Sequence, residues 1–569
     1  MRAGRTEEAA ALAVKIGAAI KSHTSAELCK VDMLSDSRSV WDKVRQLTGR
    51  TQSSSTVSHN QDISAATLNE HYAAISSDAN YTTPSVKCTA NNISESSVIS
   101  DWRMFKILDT LHHTATGLDG IPAWFLRIGA PFFAEPIAAL MNLSISSSVV
   151  PTQWKTASIL PIPKVHPPTT PSDFRPISIT PVLSRILERI VVHDYIYPSF
   201  QCPPSGLSFT DQFAFQPTGS TTCALIQLFH TISVLLESNP YVIVFALDFS
   251  KAFDSVRHSA VLEKFSQLIL PDNIYNWIES FFRGHSHCTK FGLECSGFQD
   301  IMASIIQGSG IGPASYVVTA SDLHPVTQGN SMPKYADDTY LVIPASNVAS
   351  CATEISNVER WATNNNLSLN RVKSLEMVFV APRSRRELSL PPPNTFGFAR
   401  VDSIKALGVS FTRKLSVTPH VEDLLASSAK TLFALRTLRQ HGLQNSYVHE
   451  IFQATVVAKL TYASQAWWGY ANADDRARLE GFMRRCVRLG FCSASSPTLA
   501  NVCAEADDRL FSAINNNSRH LLRSLLPPAK DEHYNLRKRS HSFQLPVKTS
   551  SLSDSGFIKR MLYKNIGCL

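Results

Sequence analysis

This 569-residue chain lacks most of the patterns that settle a class at once. Its 11 cysteines are scattered, none forms a C-x-x-C pair, and Cys486, Cys492 and Cys503 have no zinc-finger spacing to histidine. We therefore expect no disulfide framework and no zinc, as in a reducing compartment. There is no uninterrupted apolar run long enough to span a bilayer, and the N-terminus is charged from Arg2 onward. That argues against a signal peptide and against a membrane as partner. No repeat recurs at solenoid periods, which removes the stacked-repeat architectures. Charged residues make up only 18% of the chain against 44% hydrophobic ones, the balance of an ordinary globular protein with a large core.

What is present is unevenly spread. The formal charge is +8, from 54 Lys+Arg and 46 Asp+Glu. From residue 401 onward there are 23 basic and 13 acidic residues, so the last third carries +10 and the first 400 residues about −2. A basic segment on a near-neutral body favours a polyanion as partner, nucleic acid first.

The chemistry lies in three acids. Asp248 ends the apolar run 242–247, and 89 residues later Asp337-Asp338 follow Tyr335-Ala336 in a turn between two short apolar runs. Strand pairing can bring the end of one strand to the turn of another. Clustered carboxylates repel unless cations sit among them, and hard oxygen donors suit Mg²⁺ beside phosphates. Two-metal phosphoryl transfer is the natural reading. Two further acid pairs, Asp474-Asp475 and Asp507-Asp508, stand in polar helical contexts with Arg close behind and read as exposed faces.

Other groups fit around the acids. After Asp248 the chain turns through Phe249-Ser250-Lys251-Ala252-Phe253-Asp254, where Phe253 could wall a nucleotide sugar or simply pack in the core. Gln307-Gly308-Ser309-Gly310-Ile311-Gly312-Pro313 opens an apolar helix, with glycines that allow close backbone approach and a proline suited to a first turn. It is neither a Walker loop nor G-x-G-x-x-G. Lys155, Lys164 and Arg175 flank the run 159–163 and could hold a triphosphate.

Hydrophobic periodicity predicts helices over 9–20, 37–47, 66–80, 133–147, 180–196, 221–237, 258–269, 273–283, 313–323 and 348–366. Strands are expected at 156–160, 241–247, 333–335, 339–343, 376–380 and 407–411. Beyond 412 the pattern is helical at 418–441, 445–470, 474–489 and 506–525, and 527–569 reads as an irregular basic tail. Few strands among helices, then helices alone, imply an α+β core with a helical appendage.

In order and spacing these segments resemble a reverse transcriptase of the non-LTR (LINE-like) retrotransposon type. Thr116–Pro122 resembles the family's N-terminal extension motif, and Phe174–Ser178 its second motif. Leu247–Asp254 resembles motif A, Gln307–Pro313 motif B, Tyr335–Asp338 motif C and Leu369–Ser374 motif D, with Leu407-Gly408-Val409 like the strand that follows. The likeness covers roughly 100–480 and reaches Tyr462–Trp468 and Phe557–Arg560.

The resemblance implies a right-hand polymerase. Residues 1–97 would be a helical segment and polar linker, and 98–412 (core about 142–412) the fingers and an antiparallel palm sheet with packed helices. Residues 413–526 would be a helical thumb and 527–569 the basic tail. Asp248, Asp337 and Asp338 would be catalytic and, with the backbone carbonyl of Phe249, hold two Mg²⁺, for which Mn²⁺ can substitute. Lys164 and Arg175 would grip the triphosphate, Phe253 would exclude a ribose 2′-hydroxyl, Gln307 would line the nucleotide site, and Lys373 would protonate pyrophosphate. Implied partners are an RNA template, a DNA primer or target and dNTPs, within the cell and in the nucleus; the oligomeric state is left open. An upstream endonuclease domain, usual in such elements, is not seen in this sequence, and His112-His113 stands where a basic residue is expected. The rival readings are an inactive or domesticated nucleic-acid-binding relic, an RNA-dependent RNA polymerase, and a simple helical nucleic-acid-binding module, which would leave the spacing of the Asp248 and Asp337-Asp338 motifs unexplained.

Overall fold

In the computed structural model the residues described are 63–83, 85–87, 98–165, 167–381, 391, 393–493, 495–529 and 541–564, with Val14, Lys15, Ala18, Ala19 and Ser22, all helical. The rest of the helix expected over 9–20, and the one over 37–47, lie outside them. The chain divides into two compact units, residues 59–401 with 519–524, and residues 402–518 with 525–569 and 1–58.

The first unit holds two five-stranded sheets. One contains β1 (Thr156–Pro163), β2 (Phe174–Ile179), β5 (His285–Phe291), β6 (Glu294–Cys295) and β7 (Gln299–Ile301), in the order β2-β1-β5-β6 with β7 also on β5. The other contains β3 (Tyr241–Leu247), β8 (Lys334–Tyr335), β9 (Asp338–Pro344), β11 (Leu375–Val380) and β12 (Ala399–Arg400), in the order β12-β11-β3-β9-β8. In this second sheet every pairing is antiparallel except β11 with β12. A small ladder joins β4 (Phe249–Ser250) to β10 (Ser368–Leu369).

Strand β3 is central because all but its two intermediate residues are buried, and it pairs along its whole length on both sides. Its Val, Ile and Phe residues suit a pleated surface covered on both faces. The helix Thr221–Ser238 covers one face. By length and composition that helix could cross a membrane, although Gln227 and His230 interrupt its apolar run. Its buried residues, Leu225, Leu228, Ile232 and Leu236 among them, pack with the sheet as a core helix does. Ser220 caps it, accepting from the Cys223 N–H at 3.1 Å.

Periodicity missed polar and proline-containing strands. Strand β2 contains Pro176, and β5 alternates polar residues (His285, Ser286, His287), yet both pair with β1. Helix Ala65–Ile75 caps itself through Ser64 and Thr67 and buries Asn69, which accepts from Thr289 Oγ1 at 2.8 Å.

The second unit contains the hairpin of β13 (Ser403–Ala406) and β14 (Val409–Thr412), turned by Leu407 and Gly408 at φ 45° and 86°. The strand expected at 407–411 therefore begins two residues later and has a partner the sequence did not reveal. Helices Thr418–Gln440, Asn445–Phe452, Ala473–Arg488 and Leu499–Asn516 follow. The continuous helix expected over 445–470 is broken at Tyr462 and at Ala463, whose φ is 50°.

Two expectations about this unit are corrected. Asp475 and Asp507 are buried, at 1% and 3% exposure, not surface acids. Asp475 closes a capping box with Asn472 and accepts from Thr418 Oγ1 at 2.8 Å. Asp507 accepts from Arg560 Nη1 at 2.7 Å. Arg560 lies on the helix Phe557–Tyr563, so the tail is not irregular there: Phe557, Ile558, Met561 and Leu562 are buried. Sequence periodicity could not separate these acids from solvated ones because their partners lie more than 50 residues away. Removing one partner of a buried ion pair leaves a charge uncompensated, so Asp507→Ala should destabilise this unit by about 3 kcal/mol. A lowered urea midpoint with an unchanged slope would register it.

Candidate active site

The site begins with strand register. Pairing of β3 with β9 sets Leu247 opposite Thr339. Asp248 comes one residue after Leu247 and Asp338 one before Thr339, so the antiparallel strands deliver both to the same end of the sheet. Asp337 sits in the two-residue turn between β8 and β9, where Tyr335 pairs with Asp338 and Ala336 takes φ 55°. Gln212 holds that turn: its Oε1 accepts from Ala336 N at 2.9 Å and its Nε2 donates to Ala336 O at 3.2 Å.

Electrostatics report the convergence. Burial raises the Asp337 carboxyl above the usual range, and Asp248 adds to the rise while Arg175 opposes it. The protein packed around Asp338 raises it to about 6, with Asp337 and then Asp248 adding to the rise, although its side chain reaches solvent. Tyr316, buried beneath, has its phenol pushed up by burial and then by Asp337 and Asp338. Carboxylates that raise one another favour any positive partner in their midst.

The backbone at Asp248 is fixed from the far side. Its N–H donates to Ser374 Oγ at 3.1 Å and its carbonyl accepts from Asn370 N at 2.8 Å. Phe249 pairs with Leu369 and its ring meets Trp361 edge-on at 5.4 Å.

A cleft of about 840 Å³ opens beside the acids. Asp248, Phe249, Phe253, Gln307, Asp337, Lys164, Arg175 and Lys373 all line it. Asp338 does not; it stands at the turn beyond. Of the cations named from sequence, Lys155 is also absent from the lining and reaches Ser280 Oγ at 3.4 Å instead. Lys164 and Arg175 meet because the β1–β2 hairpin pairs Ile162 with Arg175, and Lys164 N donates to Asp173 O at 2.7 Å. The Lys164 ammonium is lowered, first by burial and then by Arg175, Lys251 and Lys373, against the pull of Asp254. Four cations thus face one another across the cleft, an arrangement that a polyanionic ligand relieves.

The rings are ordered too. Phe253 stacks on Tyr316 with centroids 4.3 Å apart, and Phe215 meets it edge-on at 6.3 Å. Gln307 Nε2 donates to Asp254 Oδ1 at 2.7 Å. Sequence reasoning gave no role to Asp254, Phe215, Lys251, Asn370 or Tyr316. Asp254 and Lys251 carried a local signal, as charged residues in the turn after Asp248, and Asn370 stood in the Leu369–Ser374 segment; Phe215 and Tyr316 arrive from a distant turn and from an apolar helix.

An oxygen-only donor set of Asp248, Asp337, Asp338 and the Phe249 carbonyl suits a hard divalent cation by its chemistry. Among the described residues no three His, Cys, Asp or Glu side chains form a ready-made cage. The fit rests on oxygen chemistry and mutual repulsion rather than on a closed ligand shell.

Comparison with known proteins agrees with this geometry. Residues 162–411 match the family described as reverse transcriptase (RNA-dependent DNA polymerase). That segment, under half of the chain, is similar in sequence to reverse transcriptases. The chain is 26% identical over 372 residues to the probable RNA-directed DNA polymerase from transposon X-element of Drosophila melanogaster, covering 62% of this chain and 39% of the relative. It is 27% identical over 304 residues to the RNA-directed DNA polymerase from mobile element jockey of the same species, covering 51% and 32%. A Pol polyprotein from the type-1 retrotransposable element R2 of Popillia japonica is 23% identical over 345 residues, covering 57% and 46%. The chain thus spans between a third and a half of the length of these relatives.

Within the matched segment the glycine loop has little freedom. Gly308 has φ 127°, and a Cβ there would lie 2.1 Å from the Ser178 carbonyl oxygen. Gly308→Ala should therefore cost more than about 1 kcal/mol, read as a lowered urea midpoint of the full chain.

Proposed function

We propose that the chain is an RNA-directed DNA polymerase, extending a primer 3′-hydroxyl with dNTPs on an RNA template, from a non-LTR retrotransposon. The observation that carries this is the delivery of Asp248 and Asp337 to one sheet end beside a cleft whose other walls bear Lys164, Arg175, Phe253 and Gln307. The first unit corresponds to fingers and palm, and the helices after residue 413 to a thumb with a basic tail that tracks the duplex backbone by charge.

Asp248, Asp337 and Asp338, with the Phe249 carbonyl, would hold two Mg²⁺ ions, or Mn²⁺ in their place. When bound, these supply an activated primer hydroxyl and neutralise the departing pyrophosphate. The protein's own groups orient the reaction. Lys164 and Arg175 hold the triphosphate so that its α-phosphate faces the primer end. Phe253, braced by Tyr316, would exclude a ribose 2′-hydroxyl. Gln307 and the exposed Lys373 both line the cleft; in this reading Gln307 would line the nucleotide site and Lys373 would give a proton to pyrophosphate.

The test is extension of an oligo(dT) primer on poly(rA) by the purified full chain. Synthesis should require Mg²⁺ or Mn²⁺ and vanish in Asp337→Ala with folding unchanged. Duplex binding without synthesis by the unaltered protein would favour an inactive relic. Phe253→Val should raise rUTP incorporation relative to dTTP by about tenfold or more; an unchanged ratio would remove the sugar-gate role.

A further inference from the structure

One buried carboxylate belongs to none of these roles. Glu188 is 0% exposed on the amphipathic helix Val182–Val191 and does not line the cleft. A buried acid needs partners, and these are unusual. Its Oε2 accepts from two backbone N–H groups, Gly310 at 2.5 Å and Ile311 at 3.1 Å, and its Oε1 accepts from Ser184 Oγ at 2.6 Å. Both N–H groups belong to the loop that starts at Gln307.

The same loop is tied down at other points. Ser178 N donates to the Gln307 carbonyl at 2.7 Å, and Gln307 Nε2 reaches Asp254 at 2.7 Å. The approach at Gly310 is close: a Cβ would lie 2.9 Å from the Arg185 carbonyl oxygen and 3.0 Å from Glu188 Cβ. Downstream, the loop runs into the helix Gly312–Thr319, whose C-terminal end is met by two buried lysines. Lys264 Nζ donates to Thr319 O at 2.6 Å, and Lys334 Nζ to Ala320 O at 2.9 Å and Leu323 O at 2.7 Å. A carboxylate at the N-terminal end and ammonium groups at the C-terminal end match the helix dipole. Lys334 also begins β8, the strand leading to Asp337.

We infer that Glu188 is a positioning residue for the nucleotide cavity: it bolts the Gln307 loop to the helix Val182–Val191 and so sets where Gln307 stands. The inference rests on the polymerase reading of the cleft. Glu188 touches no substrate; it acts only through the two amides. With a glutamine the one remaining oxygen can still accept from both amides while the NH₂ donates to the Ser184 hydroxyl, so the clamp survives; a methionine of similar volume offers the two amides no oxygen. With an aspartate the carboxylate falls one methylene short.

The test uses the full chain on poly(rA) with an oligo(dT) primer ended by a dideoxynucleotide, so that dTTP binding is read without synthesis. Glu188→Met should weaken Mg²⁺-dependent dTTP binding by about tenfold while primer–template affinity stays within about twofold and the thermal midpoint shows a folded protein. Ser184→Ala, which removes only the hydroxyl bond, should move dTTP affinity the same way by less. Hydrogen exchange at residues 310 and 311 should quicken in Glu188→Met. If Glu188→Met does not fold, Glu188→Asp takes its place with the same expectations. A folded variant with wild-type dTTP affinity, or with unchanged exchange at 310 and 311, would overturn the inference. Wild-type protein that binds primer–template but no dTTP would overturn the polymerase reading and the nucleotide role with it, whereas the exchange result decides the clamp separately.

Discussion

The antiparallel pairing of β3 with β9 is the constraint on which the site depends. Sheet side chains alternate with a period of two, so a slip of one residue would turn every side chain of β9 to the other face. The register is fixed by packing: Val242, Ile243, Val244, Phe245, Leu341, Val342 and Ile343 are buried on both faces of the sheet, and a slip would mismatch the side chains packed on each face. The positions of Asp248 and Asp338 follow from that register. Core packing therefore places the carboxylates, and the repulsion between them is carried by a sheet already secured on its other edge by β11.

Around this end of the sheet the wall of the cleft is assembled from short local devices, each tied to a remote element. The β1–β2 hairpin brings Lys164 to Arg175. Asn370 and Ser374 staple the backbone of Asp248. Gln212 holds the Ala336 turn from 124 residues away. The glycine loop is confined between Ser178, Asp254 and Glu188. Few of the atoms that face the cleft are free to move alone. Such preorganisation is what positioning and electrostatic catalysis require, since groups already in place need no rearrangement during reaction.

Most of the helices of the first unit were legible because they combine a long apolar stripe with clear ends. Thr221–Ser238 begins one residue after the capping Ser220, and Gly312–Thr319 carries Pro313 in its first turn. Strands with continuous β-branched runs were equally plain. Polar or proline-containing strands were not: Phe174–Ile179 is masked by Pro176 although β1 is its near neighbour, and no local pattern in His285–Phe291 announces a partner about 130 residues away. The same limit hid the burial of Asp475 and Asp507, which look solvated until Thr418 and Arg560 come into contact with them.

By itself the sequence determined the kinds of chemistry available: acids at a strand end and in a turn, a glycine loop before a helix, cations around a strand, and the order in which they occur. Those are properties of neighbouring residues, set by local propensity and composition. Tertiary structure decided which of them meet. It brought Lys164 and Arg175 to the cleft and left Lys155 at Ser280. It set Phe253 on Tyr316, and it turned Glu188 from one more helical acid into the anchor of the Gln307 loop. Those outcomes depend on register and packing between segments far apart along the chain, where the burial of apolar surface, not local preference, decides what lies beside what.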